Sequence, residues 1–506
     1  MKKLFEKAVA VIALIALAVT AFPFTAPIKA ETSRTELVIE PNAAVLSSDA
    51  HWEAEPVREN AVVPVRDAIW DGSIADGFSG GIGTEDDPYL ISNGAELAYL
   101  AQQVNNGTEY DGAFFCLTND IYLNDTTDWE NWGHSADPAN RWTPIGTGEE
   151  GKFFKGIFDG NDYSVRGIYI RSSHIYQSLF GFCKNSIISN LEIAESFIGG
   201  RSYVGGIVGC NDGGVIINCN NTAMVKGQDE TGGIAGINCG TIINCNNAAS
   251  INGENDTGGI AGCNNNGIIT NCSSIGAVYG TNSTGGIAGC NNNGLISTCN
   301  NIGAVDIEGW VCVGGIAGYT KYEPQFAQLD ESGIMDCYNV ATVYGSMCIG
   351  GITGQSDDST IRNCYNAGMI NEGEVATGGV AGHANNNTVF NCYWLEASCI
   401  YDEYATLLTD EEMHYAESFA GFDFETVWTM DGNPAYPYPE LINNPHFYAD
   451  TPGDVNGDGF ITAADANIAM RMALSLVEFD LAGDANGDGI VNAADANIVM
   501  RWALGL

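Results

Sequence analysis

Two segments near the C-terminus space oxygen-bearing side chains as a hard divalent cation requires. The first places Asp454, Asn456 and Asp458 at loop positions one, three and five, and Asp465 at position twelve. The second repeats the pattern 30 residues later with Asp484, Asn486, Asp488 and Asp495. Gly459 and Gly489 stand at position six, where the chain must turn sharply so that the oxygens converge. Phe460 and Ile490 at position seven, with Thr462 and Asn492 at position nine, complete the two sets through a backbone carbonyl and a further oxygen or water. Each loop runs into an apolar-periodic segment that reads as a helix. The pattern predicts two calcium ions. Repetition in register argues against chance.

The doubled segment resembles the type I dockerin family, modules that attach cargo to the cohesin domains of cellulosome scaffolds. The resemblance rests on Asp instead of Glu at position twelve. It rests also on the absence of a leading helix, where Thr451-Pro452-Gly453 stands. It implies a small all-α calcium-binding domain and a cohesin partner. The contact positions it implies are Ala463, Ala464, Met470 and Arg471, and in the second copy Ala493, Ala494, Met500 and Arg501. Ala at both contact pairs implies a flat, apolar contact. Met470 and Met500 could equally be helix core, whereas Arg471 and Arg501 should point outward. Near-identical halves imply that either could dock.

A second pattern must position the rest of the chain. Gly-Gly-Ile/Val-x-Gly recurs from Gly205, Gly232, Gly258, Gly285, Gly314, Gly350 and Gly378, at intervals of 26 to 29 residues apart from one of 36. A Cys follows at 219, 245, 272, 299, 337, 364 and 392. Each unit holds three short apolar runs divided by Gly and Asn, too short for helices. One unit cannot bury its own apolar face, so units must stack. The expected fold is mainly β: a right-handed parallel β-solenoid with about 27 residues and three strands per coil, and with end caps. Inward residues should include Ile207, Ile216, Ile234, Ile243, Ile260, Ile269, Ile287, Ile296, Ile316 and Ile352. A propeller blade needs a longer repeat.

This region resembles the GLUG-motif repeats of bacterial surface proteins. Asp86–Ile91 with the helix-like stretch from Gly94 resembles that family's leading cap. The stretch from Leu408 to Pro439 resembles its closing segment. The resemblance speaks for architecture and hardly for activity.

Cysteine usage follows the repeat. Sixteen Cys in an exported chain ordinarily mean disulfides. The column of seven instead reads as buried thiols, because parallel neighbours suit disulfide torsion poorly. Cys210/Cys219, Cys263/Cys272 and Cys290/Cys299 are the best candidates for bridges. Asn218, Asn244, Asn271, Asn363 and Asn391, interrupted by Thr298 and Asp336, should form an amide ladder.

Lys2, Lys3 and Lys7 before an apolar run, with Ile28-Lys29-Ala30 after it, read as a secretion signal cleaved near Ala30. The run is short for a membrane span, and no later segment could span one. The formal charge of −44 argues against nucleic acid and anionic membranes as partners. The 506 residues divide into a signal at 1–30, a linker or arm at 31–75, and a solenoid cap at 76–145. Repeats follow at 146–395, a closing cap and linker at 396–450, and the dockerin-like module at 451–506.

No catalytic residue is assigned. Asp357 and Asp358 are adjacent and should face opposite ways, and Arg362 could pair with one of them. Residues 201–400 hold only Arg201, Lys226, Lys321 and Arg362 as cations, too few for a uronate lyase. Trp129, Trp132 and Trp142 either stack on sugar or cover the open end of the rod. An insertion after Gly314, carrying Lys321, Tyr322, Glu323, Phe326 and Asp330, reads as a surface loop. The expectation is a secreted, noncatalytic solenoid in a cellulosome-like or cell-surface complex, with plant polysaccharide as a candidate ligand. The alternative is a polysaccharide-degrading hydrolase or lyase on the same scaffold.

Overall fold

The structure, a computed structural model, describes residues 69–444 except 134–136, 304–306, 330–331, 372, 374, 387 and 432–435. They belong to the second of two compact units, which begins at Ile69.

One coil shows how the repeat folds. It comprises strands Asn255–Gly258, Ala261–Asn265, Ile268–Thr270, Ser273–Ser274 and Val278–Tyr279. The three strands expected per coil are thus divided into five. Asn266 and Asn271, at φ 55° and 53°, turn the chain between strands, as expected of the Asn that divide the apolar runs. Asn adopts this left-handed conformation more readily than other residues with a side chain. Gly259 separates the first two strands. A Cβ there would stand 2.1 Å from both the Gly286 carbonyl oxygen and the Ser274 hydroxyl, so only glycine fits.

Each strand pairs in parallel with its counterparts in the coils on either side. Thr257 lies opposite Thr231 and Thr284, and Ile269 lies opposite Ile242 and Ile296. Among the described residues this stacking builds an eight-stranded sheet, two seven-stranded sheets and a twenty-stranded sheet. The eight-stranded sheet runs from Phe180–Lys184 to Ala381–Asn385.

The interior is filled by columns. Ile207, Ile234, Ile260, Ile287, Ile316 and Ile352 form one, all fully buried. Ile216, Ile242, Ile269, Ile296, Ile334 and Ile361 belong to the same core. Ile243 was expected in this second column. The register instead matches Ile242 with Ile216 and Ile269, which leaves Ile243 on the opposite face of its strand. At roughly 1.5–3 kcal/mol for each buried Ile, the stack is the main stabilising feature of the rod.

The seven repeat-position thiols, Cys219 to Cys392, are buried and unbridged. Cys245 Sγ donates to the Ile243 carbonyl at 3.2 Å, and Cys219 N donates to Cys245 Sγ at 3.4 Å. Burial pushes the Cys219, Cys245, Cys364 and Cys392 thiols well up. These four therefore offer little thiolate to react. The nine-residue pairs are not bridges. Cys272 and Cys299 belong to the core while Cys263 and Cys290 do not, so the members of each pair face opposite sides of the wall. Cys263 instead bonds Cys290 in the next coil, with Cα atoms 4.6 Å apart. Titration in denaturant without reductant should therefore find fourteen free thiols, and the native protein should expose few of them. A lower count in denaturant would reveal further bridges.

The expected amide ladder is present in two stretches, broken at Asn271, whose backbone N donates to Thr298 Oγ1 at 3.2 Å. Asn218 donates to Asn190 at 3.0 Å, Asn244 to Asn218 at 3.2 Å, Asn363 to Asp336 at 3.1 Å and Asn391 to Asn363 at 3.2 Å. Two buried ladders accompany it. Asn211, Asn238, Asn264 and Asn291 link at 2.8 Å per step. Asn301, Asn339 and Asn366 link at 2.7 and 2.8 Å. Each amide donates to the next, which is how such groups are tolerated away from water; Asn211 Oδ1, at the start of its ladder, has no partner among the described residues.

The rod's leading end is covered by helix α1, Gly94–Asn105. Asn93 Oδ1 caps it, accepting from Ala95 N and Glu96 N at 3.1 Å. Leu97, Leu100 and Val104 on α1 join the solenoid core. Trp142 is buried in that core, and its Nε1 donates to the Leu179 carbonyl at 3.2 Å. Trp132 packs with Tyr169 and Phe197, and Trp129 is partly buried beside them. At the other end Asp402 Oδ2 accepts from Val380 N at 2.6 Å and Ala381 N at 3.2 Å, standing in for the carbonyl of a further coil. The following segment lies along the flank. Its Phe419, Phe422, Trp428 and Tyr436 cover the stacked rings of Tyr338 and Tyr365, and Asn444 reaches back to Ser273.

Candidate functional site

The calcium ligands from Asp454 to Asp495 and the cohesin-contact positions from Ala463 to Arg501 lie outside the described residues. So does the secretion signal at 1–30. Among the described residues, no group of three or more His, Cys, Asp and Glu could hold a metal ion, and no helix is long and apolar enough to cross a membrane.

On the solenoid, Asp357 and Asp358 do not act together. Asp357 ends strand Thr353–Asp357, whereas Asp358 sits at a corner with φ 53°. Asp357 accepts from Tyr319 Oη at 2.8 Å, Asn385 Nδ2 at 2.9 Å and Gln355 Nε2 at 3.2 Å. Burial pushes its pKa up, but the bonds from Asn385, Tyr319 and Gln355 outweigh this and hold it below the ordinary carboxylate value. Such a group is a poor proton donor.

The insertion is held in place. Strand Ala317–Lys321 ends at Lys321, whose Nζ lies 2.9 Å from Glu323 Oε1. Glu323 N donates to Asn293 Oδ1 at 2.6 Å, and Gln328 N donates to Asn266 Oδ1 at 3.0 Å. The loop therefore crosses the corners of two preceding coils. Between loop and wall lies an open cleft of about 530 Å³ lined by Asn265, Asn266, Asn292, Asn293, Tyr319, Lys321, Glu323 and Phe326. Phe326 is 64% exposed. A second cleft, of about 440 Å³, lies beside Trp70, Asp125, Asp128, Trp132 and Asp137 near the leading cap.

The stacking also brings together two carboxylates that sequence reasoning missed. Glu230 and Asp256 occupy equivalent left-handed positions within strands Asp229–Gly232 and Asn255–Gly258 of adjacent coils, flanked by the register pairs Asp229–Asn255 and Thr231–Thr257. Burial, then Asp256 and Asp229, push Glu230 up to about 7. Burial also raises Asp256. The signal was available: both residues stand two positions before the Gly-Gly marker of their repeat. The pair lies in neither cleft. A folded pKa above the unfolded value favours the native state below the unfolded pKa, and the benefit is lost as pH rises through about 7. Glu230→Gln should therefore raise the melting temperature at pH 8, by on the order of 1 kcal/mol in stability, and change it little at pH 4. Equal shifts at both pH values would show that the carboxylate's charge is not the cause.

Two segments match known families. Residues 452–502 match the dockerin type I domain, and residues 200–225 match the GLUG motif. The chain thus carries a type I dockerin domain, a class that binds calcium, together with a GLUG-containing β-solenoid. It is 33% identical over 146 residues to a "Putative Gly-rich membrane protein" of Evansella cellulosilytica, covering 28% of this chain and 15% of that protein. It is 28% identical over 168 residues to "Halomucin" of Haloquadratum walsbyi, covering 33% of this chain and 2% of that protein. The chain therefore spans only a small part of the length of these relatives. A solved structure described as "a putative immunoglobulin A1 protease from Bacteroides ovatus" aligns with 72% of this chain and 95% of its own, at 19% identity and a TM-score of 0.37.

Proposed function

We propose that this chain is an extracellular, noncatalytic binding or spacing protein that docks by its C-terminal module onto a cohesin of a cellulosome-type or cell-surface scaffold. The dockerin match over residues 452–502 carries the reading. It coincides with both loops that offer calcium ligands, so two ions are expected: one held by Asp454, Asn456, Asp458, Phe460, Thr462 and Asp465, the other by Asp484, Asn486, Asp488, Ile490, Asn492 and Asp495. Ala463, Ala464, Met470 and Arg471, or their counterparts Ala493, Ala494, Met500 and Arg501, would meet the cohesin. Residues 1–30 would direct export.

The solenoid's role as binder or spacer is supported by what its polar side chains do. The amide ladders bond one another, and Asp357 is committed to three partners. One observation favours the second reading, a polysaccharide-degrading enzyme: the Glu230–Asp256 pair, with Glu230 poised near neutrality. Two measurements test the proposal. Arg471→Ala and Arg501→Ala should each weaken cohesin binding modestly, and together by about 100-fold or more, if either half can dock. A single change that abolishes binding would show one fixed orientation. The purified chain should release neither reducing ends nor unsaturated products from neutral or acidic plant polysaccharides. Turnover that disappears in Glu230→Gln would establish the second reading instead.

A further inference from the structure

The geometry points to the cleft beneath the insertion as a binding site for a neutral oligosaccharide segment of a polysaccharide. The proposal rests on the reading of the solenoid as a binding element and gives that element a place and a ligand class.

The roof of the cleft is anchored, so its shape precedes any ligand. Glu323 N and Gln328 N bond the side chains of Asn293 and Asn266, which lie in two different coils. Phe326 N at 2.9 Å and Ala327 N at 3.1 Å both bond the Glu323 carbonyl, closing a tight turn. That turn presents the Phe326 ring with 64% of its surface in water. An exposed apolar ring on a fixed turn lacks a packing role in the folded chain, and burying a Phe gains roughly 1.5–3 kcal/mol. The flat face of a sugar ring is an apolar surface that such a ring could cover.

The floor is built from carboxamides. Asn265 and Asn292 lie opposite each other in register, with Lys321 next in the same row. Two residues before Asn265 and Asn292, the Cys263–Cys290 bridge ties their strands together. Asn292 Nδ2 reaches only those two sulfurs, at 3.7 and 3.5 Å. Sulfur is a weak acceptor, and a hydroxyl would be a better one. Among the described residues, Asn292 Oδ1 has no hydrogen-bond partner. Each carboxamide can donate and accept, which matches a ligand rich in hydroxyl groups.

Charge selects a neutral ligand. The one cation of the cleft, Lys321, is neutralised by Glu323 at 2.9 Å. Tyr319 brings Asp357 close behind it. An anionic chain such as a polyuronate would meet these carboxylates without a free cation. At about 530 Å³ the cleft has the size of an ordinary small-ligand site.

Affinity electrophoresis of the full chain, in native gels containing calcium and xyloglucan, glucomannan, arabinoxylan or polygalacturonate, tests the site. The expected result is retardation by at least one neutral polysaccharide and none by polygalacturonate. Phe326→Ala should lose tenfold or more of that affinity and keep the parent's melting temperature and cohesin binding. Asn292→Asp, which adds a charge to the floor, should weaken the same retardation. The proposal is overturned if no neutral polysaccharide retards the parent, if polygalacturonate retards it as strongly, or if Phe326→Ala binds like the parent. Failure of cohesin binding in the parent would count against the docking reading alone.

Discussion

Ile260→Asp is expected to unfold the solenoid. Ile260 is fully buried in the middle of its column, with Ile234 and Ile287 above and below. Its backbone is committed in both directions: its N donates to the Ile287 carbonyl at 2.9 Å, and its carbonyl accepts from Ile234 N at 2.9 Å. The side chain cannot swing out to water without breaking these bonds. Among the described residues no cation lies in the core to pair with an aspartate there. Burying an unpaired carboxylate should cost more than about 4 kcal/mol, whereas Ile260→Val should cost only about 0.5–1.5 kcal/mol. Coils hold only their neighbours, so a failed coil in mid-rod uncouples the two halves. Circular dichroism melting and soluble yield would show it. An Ile260→Asp protein that melts within a few degrees of the parent would contradict the assigned core.

Much of this architecture was legible because a repeat multiplies weak signals. Gly-Gly-Ile/Val-x-Gly located the column of Ile207, Ile234, Ile260 and Ile287, and Asn-Cys located the outer ladder and the thiol column. What failed did so where two like residues stand side by side. Ile242 and Ile243 are equivalent to a pattern search, and only register decides which one faces inward. Asn246 and Asn247 pose the same problem: Asn247 accepts from Asn221 in a buried row, whereas Asn246 donates to Asn220 on the exposed face, and only stacking tells them apart. The Cys263–Cys290 bridge was missed because a sequence reports spacing along the chain, whereas adjacency here runs between coils, 27 residues apart. For the same reason nothing in the sequence brought the insertion beside Asn266 and Asn293. Its length was visible, and its two anchor points were not. The Glu230–Asp256 stack is a further case in which charge in one column becomes apparent only when the coils are stacked.

Removing calcium is expected to abolish cohesin binding while leaving the solenoid intact. Six carboxylates, those of Asp454, Asp458, Asp465, Asp484, Asp488 and Asp495, lie in two short loops. Without cations they repel one another, and the apolar segments that follow are too short to hold helices alone. Binding energy at such sites is folding energy, so chelation should convert the module to an unfolded chain. The solenoid draws its stability from columns such as Ile260 and Ile287, and among its described residues no cluster suited to a metal occurs. The full chain in excess chelator should therefore lose cohesin affinity by 100-fold or more and regain it when calcium returns, with an unchanged melting transition for the rod. Asp454→Ala together with Asp484→Ala should reproduce the loss in the presence of calcium, because each removes the first ligand of a loop. Full cohesin affinity in chelator would refute calcium as the organising ion. A rod that melted earlier in chelator would place a metal within the solenoid, which its polar groups, bonded to one another along the ladders, give no reason to expect.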